Sequence, residues 1–228
     1  MEQNEITMKV IAHIESDFKE KFGIPRQSGL VEELEARIVF EPEYRNPDAL
    51  RGMDGFSHLW LLWQFSESVR EEWSPTVRPP RLGGNERMGV FATRSPFRPN
   101  EIGLSAVRLI RVEQDKKLGP VLIVGGADLL SGTPILDIKP YLPQVDCHPE
   151  AKAGFSVRNA DYKLKVNPGD WLKDFPEEKK SALLGVLAQD PRPAYQEDSE
   201  RIYGMNFADC EVKFRVAENV LEIVNIER

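Results

Sequence analysis

Along the first 145 positions the apolar residues gather in short runs: Met8 to Ile14, Ala36 to Phe40, Leu59 to Phe65, Met88 to Thr93, Leu104 to Val112, Val121 to Val124 and Ile135 to Ile138. Many of them are rich in Val, Ile, Leu and aromatic residues, and Gly, Pro or Asn separates them, which is the pattern of strands joined by turns. Leu104 to Val112 alternates most clearly, with Ala106, Leu109 and Val112 mixed among Arg108 and Arg111. Only Asn46 to Arg51 reads as a short helix in this part, with Pro47 at its first position. Many short strands and few helices predict a mainly β fold, a small β-barrel with short helices. No strand–GxGxxG–helix unit is present, which argues against a doubly wound, Rossmann-type cofactor fold.

Beyond residue 146 the pattern changes. Residues 147–175 are mixed and interrupted by Gly and Pro, and read as a linker. Pro176 to Gln189 predicts a helix: Pro176 suits a first turn, Glu177 and Glu178 favour its start, and Leu183, Leu184 and Leu187 form an apolar face. Glu211 to Val216 and Val220 to Ile226 then read as a hairpin around Ala217-Glu218-Asn219. A chain of 228 residues fits one main domain plus a smaller one. The expected division is a β-barrel over 6–146, then a linker and a small α+β domain over 147–228.

Composition sharpens this in two places. An apolar fraction of 41% against 29% charged residues supports globular folding, and the longest apolar runs, Leu59 to Trp63 and Val121 to Val124, cannot span a bilayer. With the polar, acidic opening Met1-Glu2-Gln3-Asn4-Glu5, the expectation is a cytoplasmic protein without membrane contact. Cys147 and Cys210 are widely spaced and form no CxxC or His-linked pattern, so they predict free thiols and no metal. The net charge of −7 opposes a nucleic-acid partner only on the scale of the whole chain. Between Arg70 and Arg111 stand eight arginines, no lysine and four acids. A guanidinium binds phosphate or carboxylate in bidentate fashion and stacks on bases, so this local surplus points to anions.

The densest chemical signal is Gly89-Val-Phe-Ala-Thr-Arg94-Ser-Pro96-Phe-Arg98-Pro99-Asn100-Glu-Ile-Gly103-Leu104-Ser105. Pro96 and Pro99 stiffen a loop that carries Arg94 and Arg98, and a rigid loop loses little entropy on binding an anion. Pro25-Arg26-Gln27-Ser28-Gly29 offers a cation, an amide and a glycine after the first strand. Asp128-Leu129-Leu130-Ser131-Gly132-Thr133-Pro134 offers a carboxylate, a hydroxyl and free backbone groups, which a nucleoside requires. Val77-Arg78-Pro79-Pro80-Arg81-Leu82-Gly83-Gly84-Asn85 combines two arginines with a stiff Pro-Pro element.

Taken together, GVFATRSPFRPNEIGLS, with FSHLWLLWQF before it and LLSGTPILDIKPYLP after it, resembles the signature of the TsaA/TrmO-like family over roughly residues 8–146. LAQDPRPAY resembles the branch of that family that modifies bacterial tRNA. The resemblance implies a non-Rossmann β-barrel methyltransferase that binds S-adenosylmethionine and works as a homodimer. Its implied substrate is threonylcarbamoyladenosine beside the anticodon of tRNA, methylated on N6. The family's cofactor contacts fall here on Pro25, Arg26, Gln27, Ser66, Glu67, Arg94, Leu104, Asp128, Leu129, Leu130 and Ser131. Ser66 and Ser131 stand where family members often carry His and Asp, so side-chain contacts at those two positions are departures.

Candidates for tRNA contact are Arg98 and Asn100 near the reacting base, and Arg192 and Tyr195 from Asp190-Pro191-Arg192-Pro193-Ala194-Tyr195, a stiff arginine with a stacking aromatic. On this reading the second domain serves RNA and not the cofactor. No proton acceptor is assigned; Asp128 is a candidate on the same footing as a ribose-binding or structural Asp. His58, inside Phe56-Ser57-His58-Leu59-Trp60, is expected as a hydrogen-bonded core residue. Two other readings stay open: a β-barrel that senses S-adenosylmethionine or a nucleotide without turnover, and a methyltransferase of the same family acting on another substrate.

Overall fold

The structure is a computed structural model that describes residues 6–69, 72–79, 86–157, 162–192 and 198–228. Among the described residues, eight strands lie in the first 140 positions: β1 (Ala12–Glu15), β2 (Glu35–Phe40), β3 (His58–Gln64), β4 (Thr76–Val77), β5 (Met88–Gly89), β6 (Ile102–Asp115), β7 (Gly119–Gly125) and β8 (Pro134–Pro140). Six of them pair in the order β1-β2-β7-β6-β3-β8, and β1 bonds to both β2 and β8, so the sheet closes on itself. Every neighbouring pair is antiparallel. A closed sheet leaves no edge open to other chains.

Alternation decides what fills the ring. In β3, Leu59, Leu61 and Trp63 point inward, and Gly103, Ser105 and Val107 do so in β6. Leu59, Leu61, Trp63 and Val107 join Ala12, Ile14, Ile38, Leu122, Val124 and Ile135 in one core. Each large apolar side chain fully buried in this way contributes about 1.5–3 kcal/mol.

Met88 to Thr93 departs from the expected strand. Only Met88–Gly89 pairs, and Val90–Ala92 turns into a 3-10 helix. The Val90 amide bonds to the Pro75 carbonyl at 3.0 Å and the Val90 side chain is buried, so the apolar run anchors a turn. Asn46 to Arg51 is helical as expected, but as a 3-10 turn, Pro47–Leu50, capped by the Asn46 side chain. His58 is exposed, its Nδ1 2.9 Å from the Ser57 hydroxyl, because it opens β3 on the outward-facing side. The expected core role is therefore corrected.

A second core lies beyond the ring. After a short helix α1 (Pro143–Asp146) come β9 (Lys165–Asn167), α2 (Glu177–Ala188), β10 (Tyr203–Phe207), β11 (Cys210–Ala217) and β12 (Val220–Glu227), with the sheet ordered β10-β11-β12-β9. The hairpin of β11 and β12 turns on two residues, with Glu218 at φ 52. The stretch read as a linker contributes β9, which pairs in parallel with β12. Tyr203–Phe207, where buried Tyr203, Met205 and Phe207 alternate with exposed residues, is a strand the apolar pattern did not isolate. α2 ends where Asp190 takes a left-handed φ of 52 and Pro191 follows, a stop that removes the next amide donor.

The loop between β1 and β2 ties the two cores together. Phe18, Val31 and Leu34 of this loop are buried in the second core with Leu183, Leu187, Phe207 and Phe214. Lys179 of α2 pairs with Asp17 at 2.6 Å, and the Asn206 amide meets Glu20 at 3.1 Å. Gly185 allows the close approach: a Cβ there would stand 2.6 Å from Val31 Cγ1. A glycine inside a helix costs about 1 kcal/mol against alanine, so the gain in docking offsets a local loss.

Candidate active site

One end of the ring collects the end of β3, the start of β6, the loop after β7 and the β1–β2 loop. A cavity of about 500 Å³ opens across this rim, within the range of small-molecule sites. Ten of the eleven residues the family resemblance assigns to the cofactor line it: Pro25, Arg26, Gln27, Ser66, Glu67, Arg94, Leu104, Asp128, Leu129 and Leu130. Ser131 does not. Its hydroxyl accepts the Ser16 amide at 3.2 Å and its own amide bonds to the Phe18 carbonyl at 2.8 Å, so it fixes the loop against the β1–β2 loop.

Trp63 and Gly103 sit opposite one another in the β3–β6 register. A Cβ at position 103 would overlap the Trp63 indole, so glycine is what lets the ring lie flat across β6. From there the indole Nε1 donates to the Ser105 hydroxyl at 3.0 Å, and that hydroxyl donates to Asp128 Oδ1 at 2.7 Å. Ser105 is buried, and a hydroxyl in that place costs free energy unless both its roles are satisfied. Burial pushes the Asp128 carboxyl above the ordinary range, against the Ser105 hydrogen bond, backbone amides and the charge of Arg94. Asp128 and Glu67 are the carboxylates on the described lining. Asp128 can accept a hydrogen bond from a sugar hydroxyl or a proton from a nitrogen acid.

The arginine loop is held by its own side chains. Thr93 Oγ1 donates to the Val90 carbonyl at 2.8 Å and accepts the Ser95 amide at 3.2 Å, and Ser95 Oγ accepts the Phe97 amide at 3.2 Å. Arg98 Nη1 donates to the carbonyls of Thr93 and Ser95 at 3.1 and 3.3 Å. Arg94 crosses the cavity to the side-chain oxygen of Gln27. Lys21 spans from the β1–β2 loop to the Glu67 carbonyl at 2.5 Å.

Both loop arginines therefore line one cavity, although the sequence separates them into cofactor and RNA tasks. Asn100 is exposed outside the lining. The Arg192 guanidinium, expected to reach RNA, is largely buried in a two-point pair with Asp190, at 2.8 and 2.9 Å. Burial pushes the Asp190 carboxyl up, but the hydrogen bonds and charge of Arg192 outweigh it and hold the carboxyl below its usual range. The Asp190 carbonyl in turn accepts from Arg26 Nη2 at 3.4 Å, so the second core reaches the cavity wall. Tyr195 lies outside the described residues. Lys21, Ile24, Trp63, Phe65 and Gly103 are among the other lining residues and are not site candidates from sequence. The glycine two positions before Ser105, facing an aromatic strand, is the signal that could have found Trp63.

Two family profiles match the chain: the tRNA-methyltransferase O N-terminal domain over residues 13–147 and the TrmO C-terminal domain over residues 163–228. The chain belongs to the TrmO family. A tRNA (adenine(37)-N6)-methyltransferase of Escherichia coli is 42% identical, covering 95% of this chain and 96% of that one. A putative S-adenosylmethionine-dependent methyltransferase of Pseudomonas aeruginosa is 39% identical and covers 89% of each chain. The crystal structure of TrmO from Pseudomonas aeruginosa superposes with a TM-score of 0.78 at 30% identity, covering 98% of this chain and all of that one. The mainly β, non-Rossmann expectation agrees with these TrmO relatives, as does the family read from the arginine loop and its flanking blocks.

Proposed function

We propose that this protein transfers the methyl group of S-adenosylmethionine to N6 of the adenosine at position 37 of tRNA, the position and atom for which its E. coli relative is named. The substrate form we propose is the threonylcarbamoylated nucleoside. The observation that carries this reading is the convergence on one rim cavity of four chain segments distant in sequence, each bearing residues the family uses.

The donor set suits S-adenosylmethionine. Leu104 and Leu130 offer apolar surface for a purine, and Asp128 is a fixed acceptor for a ribose hydroxyl. Arg26, Arg94 and Glu67 supply opposite charges for an amino-acid end. When bound, the sulfonium supplies a methyl group that needs no further activation. Methyl transfer is an in-line displacement, so the protein contributes mainly by holding the acceptor nitrogen against that methyl. Arg98, fixed by local hydrogen bonds, presents guanidinium charge to the threonyl carboxylate and to RNA phosphate. The N6 nitrogen must lose its proton as the new nitrogen–carbon bond forms.

Homodimerisation and a cytoplasmic location belong to the same proposal. No helix among the described residues is long and apolar enough to cross a membrane. The test is methyl transfer by the purified protein to tRNA with and without the threonylcarbamoyl group, read by mass spectrometry of nucleosides. Methylated threonylcarbamoyladenosine is the expected product. Absence of product from both tRNAs, with active E. coli enzyme as control, overturns the activity; product from plain adenosine alone overturns the substrate form.

A further inference from the structure

Beside the cavity stands a feature its chemistry does not use. Trp73 and Phe91 are 52% and 72% exposed and stack on each other, with ring centroids 6.1 Å apart and planes inclined by 29°. Large aromatic rings gain most from burial, so two rings paired in water are an unusual arrangement. Phe91 is held firmly. Phe91 belongs to the Val90–Ala92 turn, which the buried Val90 and its bond to Pro75 pin in place. Thr93, two residues on and so within about 7 Å of Phe91 along the chain, lines the cavity.

The short hairpin that carries this turn has a charge problem of its own. β4 and β5 pair Thr76 with Gly89 and Val77 with Met88. Arg78 directly follows the paired segment and Arg87 directly precedes it; both are exposed, and neither has an ion pair or hydrogen bond among the described residues. Two like charges at the end of one short hairpin repel each other, and a bound anion relieves that repulsion. Stacked aromatic rings and exposed guanidinium groups carried on one hairpin form the combination that holds single-stranded nucleic acid: rings take bases, arginines take phosphates.

We infer that Trp73 and Phe91, with Arg78 and Arg87, form a stacking platform that holds unpaired bases of the RNA substrate next to the base that enters the cavity. The inference rests on the RNA-methyltransferase reading and names the surface that receives the RNA. The local surplus of arginine favours a polyanion here over a second copy of this chain, whose net charge is −7 but which presents the same arginines at a symmetric contact.

The experiment compares the intact chain with Trp73→Ala/Phe91→Ala and Arg78→Ala/Arg87→Ala. Fluorescence anisotropy reads binding of an anticodon stem-loop RNA and of a single-stranded oligoadenylate over a range of salt, calorimetry reads S-adenosylmethionine, and sedimentation reads assembly state. The aromatic double variant is expected to lose about tenfold or more in affinity for both RNAs, with an unchanged salt slope and unchanged cofactor binding. The arginine double variant is expected to flatten the log–log salt slope by about 0.7 per phosphate contact removed. Unchanged RNA affinity in the aromatic variant overturns the platform, and so does a change of assembly state, which would assign the rings to a second copy. If the intact chain binds oligoadenylate through these rings but shows no methylation of tRNA, the platform stands and the proposed activity fails.

Discussion

Trp63 and Ser105 are joined by a hydrogen bond of 3.0 Å inside the closed sheet, and Gly103 is the residue that makes the contact reachable. The indole spends its one donor on Ser105, and the hydroxyl passes its own hydrogen to Asp128. A floor residue, a strand position and a loop carboxylate are thereby set by a single chain of donors. Ser105→Ala leaves a buried indole N–H unsatisfied, at a cost of about 1–3 kcal/mol. Denaturant unfolding is expected to show that loss. S-adenosylmethionine affinity is expected to fall with it, because Asp128 is no longer oriented. Gly103→Ala should destabilise through overlap with the Trp63 ring, by about 1–3 kcal/mol.

Asp128 carries a pH signature of its own. Its carboxyl is raised above the ordinary range by burial, so its contribution to stability is fully present below the unfolded-state pKa of about 3.9 and is lost as pH rises through the folded value. Asp128→Asn removes the charged form and leaves an oxygen that can accept from Ser105. The variant is expected to gain stability relative to the wild-type chain at neutral pH, with the gap closing on acidification. Unfolding midpoints across the pH range decide this: a gap that instead widens at low pH would overturn the burial-dominated account.

Asp190 behaves with the opposite sign. Arg192 holds its carboxyl below the usual range despite burial, so the pair stabilises the fold above the ordinary Asp value and loses that stability as pH falls through the depressed one. Arg192→Ala is expected to cost about 1.5–3 kcal/mol at neutral pH and progressively less in acid. Because the Asp190 carbonyl receives Arg26, the same variant should weaken cofactor binding, which a direct RNA contact by Arg192 would not. Calorimetry with S-adenosylmethionine separates the two.

Truncation after Pro149 tests how far the two cores are independent. The sequence suggests that the second part serves RNA alone. Phe18, Val31 and Leu34, however, are buried against α2 and the second sheet, on the loop that carries Pro25, Arg26 and Gln27 to the cavity. Removing residues 150–228 exposes those apolar side chains and frees the loop. Cofactor affinity is therefore expected to fall together with RNA binding. A folded truncated protein with unaltered cofactor affinity would restore the sequence view.

What the sequence disclosed divides along physical lines. Strands with clear alternation or solid apolar runs, such as those around Ile38, Leu61 and Val124, were legible because period-two burial is written locally. Tyr203–Phe207 was not, since Gly204 and Asn206 break the apolar run while Tyr203, Met205 and Phe207 still reach the core. The loops at the rim were legible as chemistry from Arg, Asp and Pro spacing. The partners of Arg98 and Arg192 were not, because a guanidinium aimed at an anion and one aimed at a nearby carbonyl or carboxylate look the same in sequence. Trp63 read as one apolar residue among several until Gly103 was placed opposite it.

Arg94 and Arg98 give the last prediction. The sequence alone gives them different tasks, with Arg98 reserved for RNA. Both line the cavity, but their bonds differ: Arg94 reaches Gln27 across it, while Arg98 Nη1 bonds back to Thr93 and Ser95 and braces the loop that displays Arg94. Arg94→Ala is expected to weaken S-adenosylmethionine directly. Arg98→Ala should weaken it too, through a loosened loop, and should also lower RNA affinity with a flatter salt slope, by about 0.7–0.9 per phosphate contact. Arg98→Lys separates bracing from steering. Lysine keeps the charge but not the planar fork, so the salt slope should stay near that of the wild-type chain while cofactor affinity stays reduced. If Arg98→Lys restores cofactor affinity in full, the two carbonyl bonds do not brace the loop, and Arg98 acts on the cavity through its charge alone.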